Sequence, residues 1–172
     1  MFHASSPDIQ DLTAEFPAVF RSELSQDPKL PAKHNVTHHI KTSGPPIFNK
    51  FRRLSPEKLQ AAKSCFRDLE LQGICQKSSS PWSSSLHMAT MKDGSFWPCG
   101  DYQRLNNITE PDRCPLPNIQ DITLFLSGAR IFSMLDLTKG YYQVPLNPAD
   151  IPKTAITTPF RTYTFNYSCF GL

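Results

Sequence analysis

Sixteen prolines in 172 residues are the first constraint on what this chain can form. Each fixes its own φ at about −65° and removes a backbone donor, so helices and interior strands must fit between them. They cluster in connecting segments, and at one place a proline helps. Ser55 is a good N-cap, and Pro56 falls at the first helical position, where the missing N–H costs nothing. Leu59, Ala62, Phe66 and Leu69 then follow the spacing of a buried stripe, and Gly73 suits a C-terminal cap. The spacing predicts a helix over Pro56–Gly73.

Around it the chain reads as short elements. Residues 1–33 are a polar lead-in with one amphipathic piece, Ile9 to Phe20, where Leu12, Phe16 and Phe20 share a helix face. Between the prolines at 28–31 and 45–46, His34 to Ile40 alternates at Val36, His38 and Ile40 like an edge strand. A Ser-rich loop, Ser78 to Ser85, surrounds Pro81-Trp82. Leu86–Met91 and Ser95–Tyr102 read as two strands of a hairpin turning at Asp93-Gly94. Leu116-Pro117-Asn118 opens a second helix, with Ile119, Ile122, Leu126 and Ala129 as its apolar face. Ile131 to Asp136 is an apolar run ending in a carboxylate, consistent with a buried central strand. Further strand-like pieces lie at Ala155–Thr158 and Tyr163–Tyr167. Helices packed on a mostly antiparallel sheet make the fold class α+β.

With 39% apolar residues the chain can bury one core. No apolar run is long enough to span a bilayer, and the N-terminus lacks the pattern of a signal peptide, so no membrane partner and an intracellular location (cytoplasm or nucleus) are expected. Five scattered cysteines argue for reduced thiols rather than a disulfide framework or zinc knuckle. His34, His38 and His39 are poor zinc candidates, because neighbours in a strand face opposite ways; they read as surface and template-side residues. Residues 29–92 hold eleven bases and three acids, an excess of +8 in a chain of net charge +3. Such a block suits a polyanion through counter-ion release, although solvated faces account for most basic blocks.

Four segments in one order carry the chemistry. They are Ser80-Pro81-Trp82; Lys92-Asp93-Gly94 leading to Cys99-Gly100-Asp101-Tyr102 and Leu105-Asn106; Phe132 to Leu137 with Gly140-Tyr141-Tyr142-Gln143; and Lys153-Thr154-Ala155 followed by Phe170-Gly171-Leu172. Together, with Pro115-Leu116-Pro117 between them, they closely resemble the fingers and part of the palm of gypsy-type retrotransposon reverse transcriptases. The resemblance covers residues 34–172, read as one incomplete reverse transcriptase domain. The lead-in resembles the linker between protease and polymerase.

The resemblance implies an RNA-directed DNA polymerase that adds deoxynucleotides to a primer by two-metal phosphoryl transfer. It implies an RNA or DNA template-primer and deoxynucleoside triphosphates as partners, and a two-ion Mg²⁺ site as cofactor. Asp136 is then the first metal-binding, catalytic aspartate, with the carbonyl of Leu137 as a further ligand; capping the turn at Leu137–Gly140 is the competing role for this Asp. Tyr141 corresponds to the bulky residue that excludes a ribose 2′-hydroxyl, and Gln143 and Gly171 to the floor of that pocket. Taken alone, Tyr141-Tyr142 reads as a pair of core aromatics. Lys92 is a nucleotide-binding candidate. Asp101, Tyr102 and Asn106 resemble the strip that positions the template, and ordinary hairpin and turn chemistry is their alternative.

The departures are informative. Met91 and Trp97 stand where the family carries the Lys and Arg that clamp the triphosphate, and an indole cannot imitate a bidentate guanidinium. Gln103, Arg161 and Cys169 replace the usual Arg, Gly and Pro. These 172 residues contain no Tyr-x-Asp-Asp, the motif that supplies the other metal carboxylates. The thumb, connection, RNase H and integrase parts are also expected to be missing. A chain with one such carboxylate is expected to be inactive alone. The competing expectations are a co-opted nucleic-acid-binding protein, with Trp82, Trp97 and Tyr102 as stacking groups, and a passive remnant that folds poorly.

Overall fold

The computed structural model describes residues 11, 14–17, 35–115, 117–130, 132, 136–137 and 139–172. The linker boundary at residue 33, most of the amphipathic piece 9–20, His34 and most of the run 131–136 therefore lie outside the described residues.

Helix α1, Pro56–Leu71, forms as its caps dictate: the Ser55 hydroxyl accepts from the Lys58 N–H, and Gly73 takes φ +69° just beyond the end. Its buried residues are Ala62, Phe66 and Leu69. They lie on a five-stranded sheet of β1 (Cys75–Lys77), β2 (Ser84–Thr90), β3 (Phe96–Asp101), β4 (Ile156–Thr157) and β5 (Thr162–Phe165), in the order β1-β5-β4-β2-β3. All neighbours are antiparallel except β2 and β4, which run parallel. The sheet is thus mixed, because β4 reaches β2 by a long connection rather than a hairpin.

Phe66 is the centre of the core. Its ring lies 4.6 Å from Tyr163, 6.1 Å from Phe160 and 6.3 Å from Phe165. The hairpin β2–β3 pairs Ser85 with Asp101 through Thr90 with Phe96. At its tip the Asp93 carboxylate accepts from Ser95 N and Oγ at 2.9 and 2.6 Å. The Ser-rich segment has a structural use. Ser83 and Ser85 donate their hydroxyls to the carbonyls of Asn49 and Lys50, at 2.8 and 3.0 Å, fastening the extended segment 47–50 across the start of β2.

Three expectations change. The stretch 35–50 is extended but makes only single bridges, such as His38 to Leu146 and Phe48 to Ser83, so it is not an edge strand. A charged pair replaces strand pairing there. Asp150 accepts from Ile40 N at 3.2 Å, while Lys153 bonds both Asp150 (2.7 Å) and the Ile40 carbonyl (2.6 Å). The second helix exists as α3, Ile119–Phe125, after the four-residue α2 (Gln103–Asn106), and Asn118 caps it. None of its residues is buried, and Ile119, Ile122 and Leu126 of its apolar face are exposed. Of the run expected as a central strand, the described Phe132 and Asp136 are exposed and belong to no strand. Among the described residues no helix is long and apolar enough to cross a membrane.

Two outcomes follow from this packing. A Cβ built on Gly100 would stand 2.5 Å from the fully buried Tyr102 ring and 2.9 Å from Ile156. Because both neighbours are enclosed, Gly100→Ala is expected to destabilise by about 1–3 kcal/mol, read as a lower urea midpoint at unchanged slope. Burial also pushes three thiols up from 9.0, to about 11 for Cys65 and about 12 for Cys75 and Cys169. The unfolded chain then releases these protons first, so the folded state holds more protons at alkaline pH and stability falls as pH rises. Urea midpoints taken across pH 9 to 12 should decline, and exposed Cys114 should react first with a thiol reagent at pH 8.

Candidate functional site

Some of the residues singled out from the sequence meet beyond the end of β3. Asp101, the last residue of that strand, accepts from Arg52 Nη2 at 2.7 Å and keeps its side chain partly exposed. Tyr102 turns the other way. It is 2% exposed, and its hydroxyl donates to the Thr154 carbonyl at 2.8 Å, so its side chain cannot meet a template and serves packing instead. Asn106, at the end of α2, donates from Nδ2 to the Gly171 carbonyl at 2.8 Å. Gly171 has φ +91°, a conformation suited to glycine, and rests over the Gly100 carbonyl and the Tyr102 ring.

A single 3-10 turn, Gly140–Gln143, brings Tyr141 to the same place. The Tyr141 ring sits 4.5 Å from Tyr142 and 6.3 Å from Phe170, and burial raises its phenol above the ordinary range. Tyr142, not Tyr141, is the buried core aromatic. Tyr141, Phe170, Gly171, Asn106 and Asp101 therefore form one continuous strip. Gln143 is exposed at the end of the turn, and Lys92 is exposed at the hairpin tip. Asp136 and Leu137 are exposed just before the turn, where the Leu137 carbonyl accepts from Gly140 N at 3.2 Å. The cap position of the Gly140–Gln143 turn is Lys139, without a side-chain capping bond. Among the described residues no three His, Cys, Asp or Glu side chains are grouped to hold a metal ion.

Of the three stacking candidates, Trp82 is 9% exposed and Tyr102 is enclosed, which removes both from a surface role. Trp97 stays partly open, and Lys139 places its ammonium 4.0 Å from the ring centroid. His38 and His39 line a wide cleft with Asn106 and Lys41, where Glu110 and Asp112 offset the positive charge.

A second feature was not apparent from the sequence. Arg52, Arg53, Lys58 and His87 converge on a cavity of about 310 Å³ at the N-terminus of α1, and no acid lines it. Lys58 is fixed there by donating to the Met88 carbonyl at 3.2 Å, its ammonium 5.6 Å from the Phe96 ring. Arg104 braces the neighbouring segment through Asn49 Oδ1 at 2.6 Å. The available signal was the Arg52-Arg53 pair immediately before a capped helix start, together with an exposed His87 between buried Leu86 and Met88. Spacing alone did not reveal that they meet.

No protein-family model matches the chain. The Pol polyprotein of the Drosophila melanogaster transposon opus is 31% identical over 170 residues, covering 95% of this chain and 17% of the relative. That of the Drosophila transposon gypsy is 29% identical over 150 residues, covering 83% and 14%. The chain thus spans less than a fifth of either polyprotein. In structure it is similar to the prototype foamy virus protease-reverse transcriptase, with TM-score 0.76 at 18% identity, over 98% of this chain and 23% of that one. It also resembles a foamy viral protease-reverse transcriptase solved with an RNA/DNA hybrid, with TM-score 0.71 at 15% identity, over 96% and 22%. These likenesses span the sheet, the hairpin and the strip described above. Sequence and fold agree: the chain is a relative of the gypsy-type retrotransposon Pol polyproteins, covering a portion of their reverse transcriptase region.

Proposed function

We propose that this chain is the nucleic-acid-gripping part of an RNA-directed DNA polymerase and does not extend a primer by itself. The observation that carries the reading is the cavity at the start of α1, where Arg53, Lys58 and His87 converge with Arg52, itself paired to Asp101, and no acid lines the wall. Its ligand is the phosphate backbone of a template strand, held by charge. The strip of Asp101, Asn106 and Gly171 continues from Arg52 through its bond to Asp101, and carries the strand toward Tyr141. In this reading the Tyr141 ring excludes a ribose 2′-hydroxyl, with Gln143 and Gly171 beneath the sugar and Lys92 available to the triphosphate.

Polymerase chemistry of this family rests on divalent ions, Mg²⁺ in our reading, that activate a 3′-hydroxyl and steady the leaving pyrophosphate. The residues present do not fit a complete two-ion site. Asp136 is exposed, the Leu137 carbonyl is its only companion by resemblance, and no further carboxylate is grouped with them among the described residues. Asp136 contributes at most the first ligand of a centre that needs other carboxylates.

Fluorescence polarisation with a labelled single-stranded oligonucleotide tests the grip. Affinity should fall steeply with salt, and Arg53→Gln should lower the log–log salt slope by about 0.7, the value for one phosphate on a single strand. Absence of binding at low salt would overturn the reading. A primer-extension assay with Mg²⁺ tests the other half. Extension by the purified chain, abolished by Asp136→Asn, would show that these residues suffice for catalysis.

A further inference from the structure

Lys139 is the one described non-glycine residue with positive φ, at +51°. An L residue adopts this conformation at a cost, so a compensating contact is expected. The contact is with Trp97 on β3, whose indole lies beneath the Lys139 ammonium at 4.0 Å. The two residues belong to different parts of the chain, the finger hairpin and the loop that also carries Asp136 and Tyr141. Lys139 is half-buried there, and burial lowers the pKa of its ammonium. Asp68 lines the same cavity of about 340 Å³ but makes no ion pair with it, and no carboxylate among the described residues does. A partly dehydrated cation that rests on an aromatic face and has no carboxylate partner gains from a bound anion.

We propose that Lys139, seated on Trp97, is a phosphate-binding residue for the polyphosphate tail of a nucleotide. It is three residues from Asp136 and two from Tyr141, on the turn that presents the sugar-facing ring. It brings positive charge to a hairpin face where Met91 and Trp97 provide none. Trp97 acts as the seat that orients the ammonium, and so as a positioning residue. The proposal rests on the reading of Tyr141 as nucleotide-facing, and not on the template grip at Arg53.

Isothermal titration of the full chain with inorganic tripolyphosphate, and separately with a deoxynucleoside triphosphate, tests it. Both should bind saturably, and Lys139→Gln should weaken both by about tenfold or more, the loss of one charge-assisted hydrogen bond. Lys139→Arg, which keeps the charge and can stack on the indole, should retain binding. Thermal melts that match wild type exclude unfolding as the cause; if Lys139→Gln melts early, the Arg variant together with Trp97→Ala, expected to weaken binding with Lys139 intact, decides the matter. Absence of saturable tripolyphosphate binding by the wild type, or unchanged binding by Lys139→Gln, overturns the proposal. Arg53→Gln run in parallel separates the two readings: Arg53→Gln should weaken the oligonucleotide more than Lys139→Gln does, and Lys139→Gln should weaken tripolyphosphate more than Arg53→Gln does. If Lys139→Gln instead weakens the oligonucleotide as much as tripolyphosphate, Lys139 belongs to the strand path and the proposal fails.

Discussion

The buried junction at Thr154 is the interaction on which the remaining architecture depends. Its carbonyl accepts the Tyr102 hydroxyl at 2.8 Å, and its own hydroxyl accepts Phe165 N at 2.8 Å while donating to the Ile151 carbonyl at 2.7 Å. These bonds join the end of β3, the entry to β4 and the end of β5 at a point without solvent access. A donor or acceptor left unpaired there would cost its full desolvation, so the three segments hold one arrangement. Tyr102 is committed inward as a result, Gly100 must lack a side chain, and Gly171 can lie flat above both. The surface strip is the outer side of this junction.

Elsewhere the chain uses side chains where a regular sheet would use backbone. Asp150 and Lys153 satisfy both backbone groups of Ile40, and the serines of β2 and its approach hold the segment 49–50. This suits a proline-rich stretch, because a strand interrupted at 45–46 cannot sustain a ladder. The arrangement also delivers Arg52 and Arg53 to the head of α1. The fold thereby turns a diffuse basic block into a local concentration of charge that a polyanion would meet.

Legibility in the sequence followed the range of the interactions. Helix α1 and the β2–β3 hairpin could be read closely, since a cap, a proline and an Asp-Gly turn act within a few residues. The apolar face of Ile119, Ile122 and Leu126 was legible as a face, but periodicity says that a side wants burial and not what will cover it; here all three are exposed. Tyr102 shows the same limit at a single residue. Its motif neighbours placed it in the strip, while the alternation that turns it inward depends on Thr154, fifty-two positions away.

By itself the sequence determined the family, the local elements and the order of the chemistry-bearing motifs, because these reside in residue type and short spacing. Only the tertiary structure decided that Tyr102 is core and Tyr141 half-buried, that four bases meet at one helix end, and that Lys139 rests on Trp97. Each of those depends on where distant backbone segments are brought together by a shared buried core, and no pattern within a single segment records that distance.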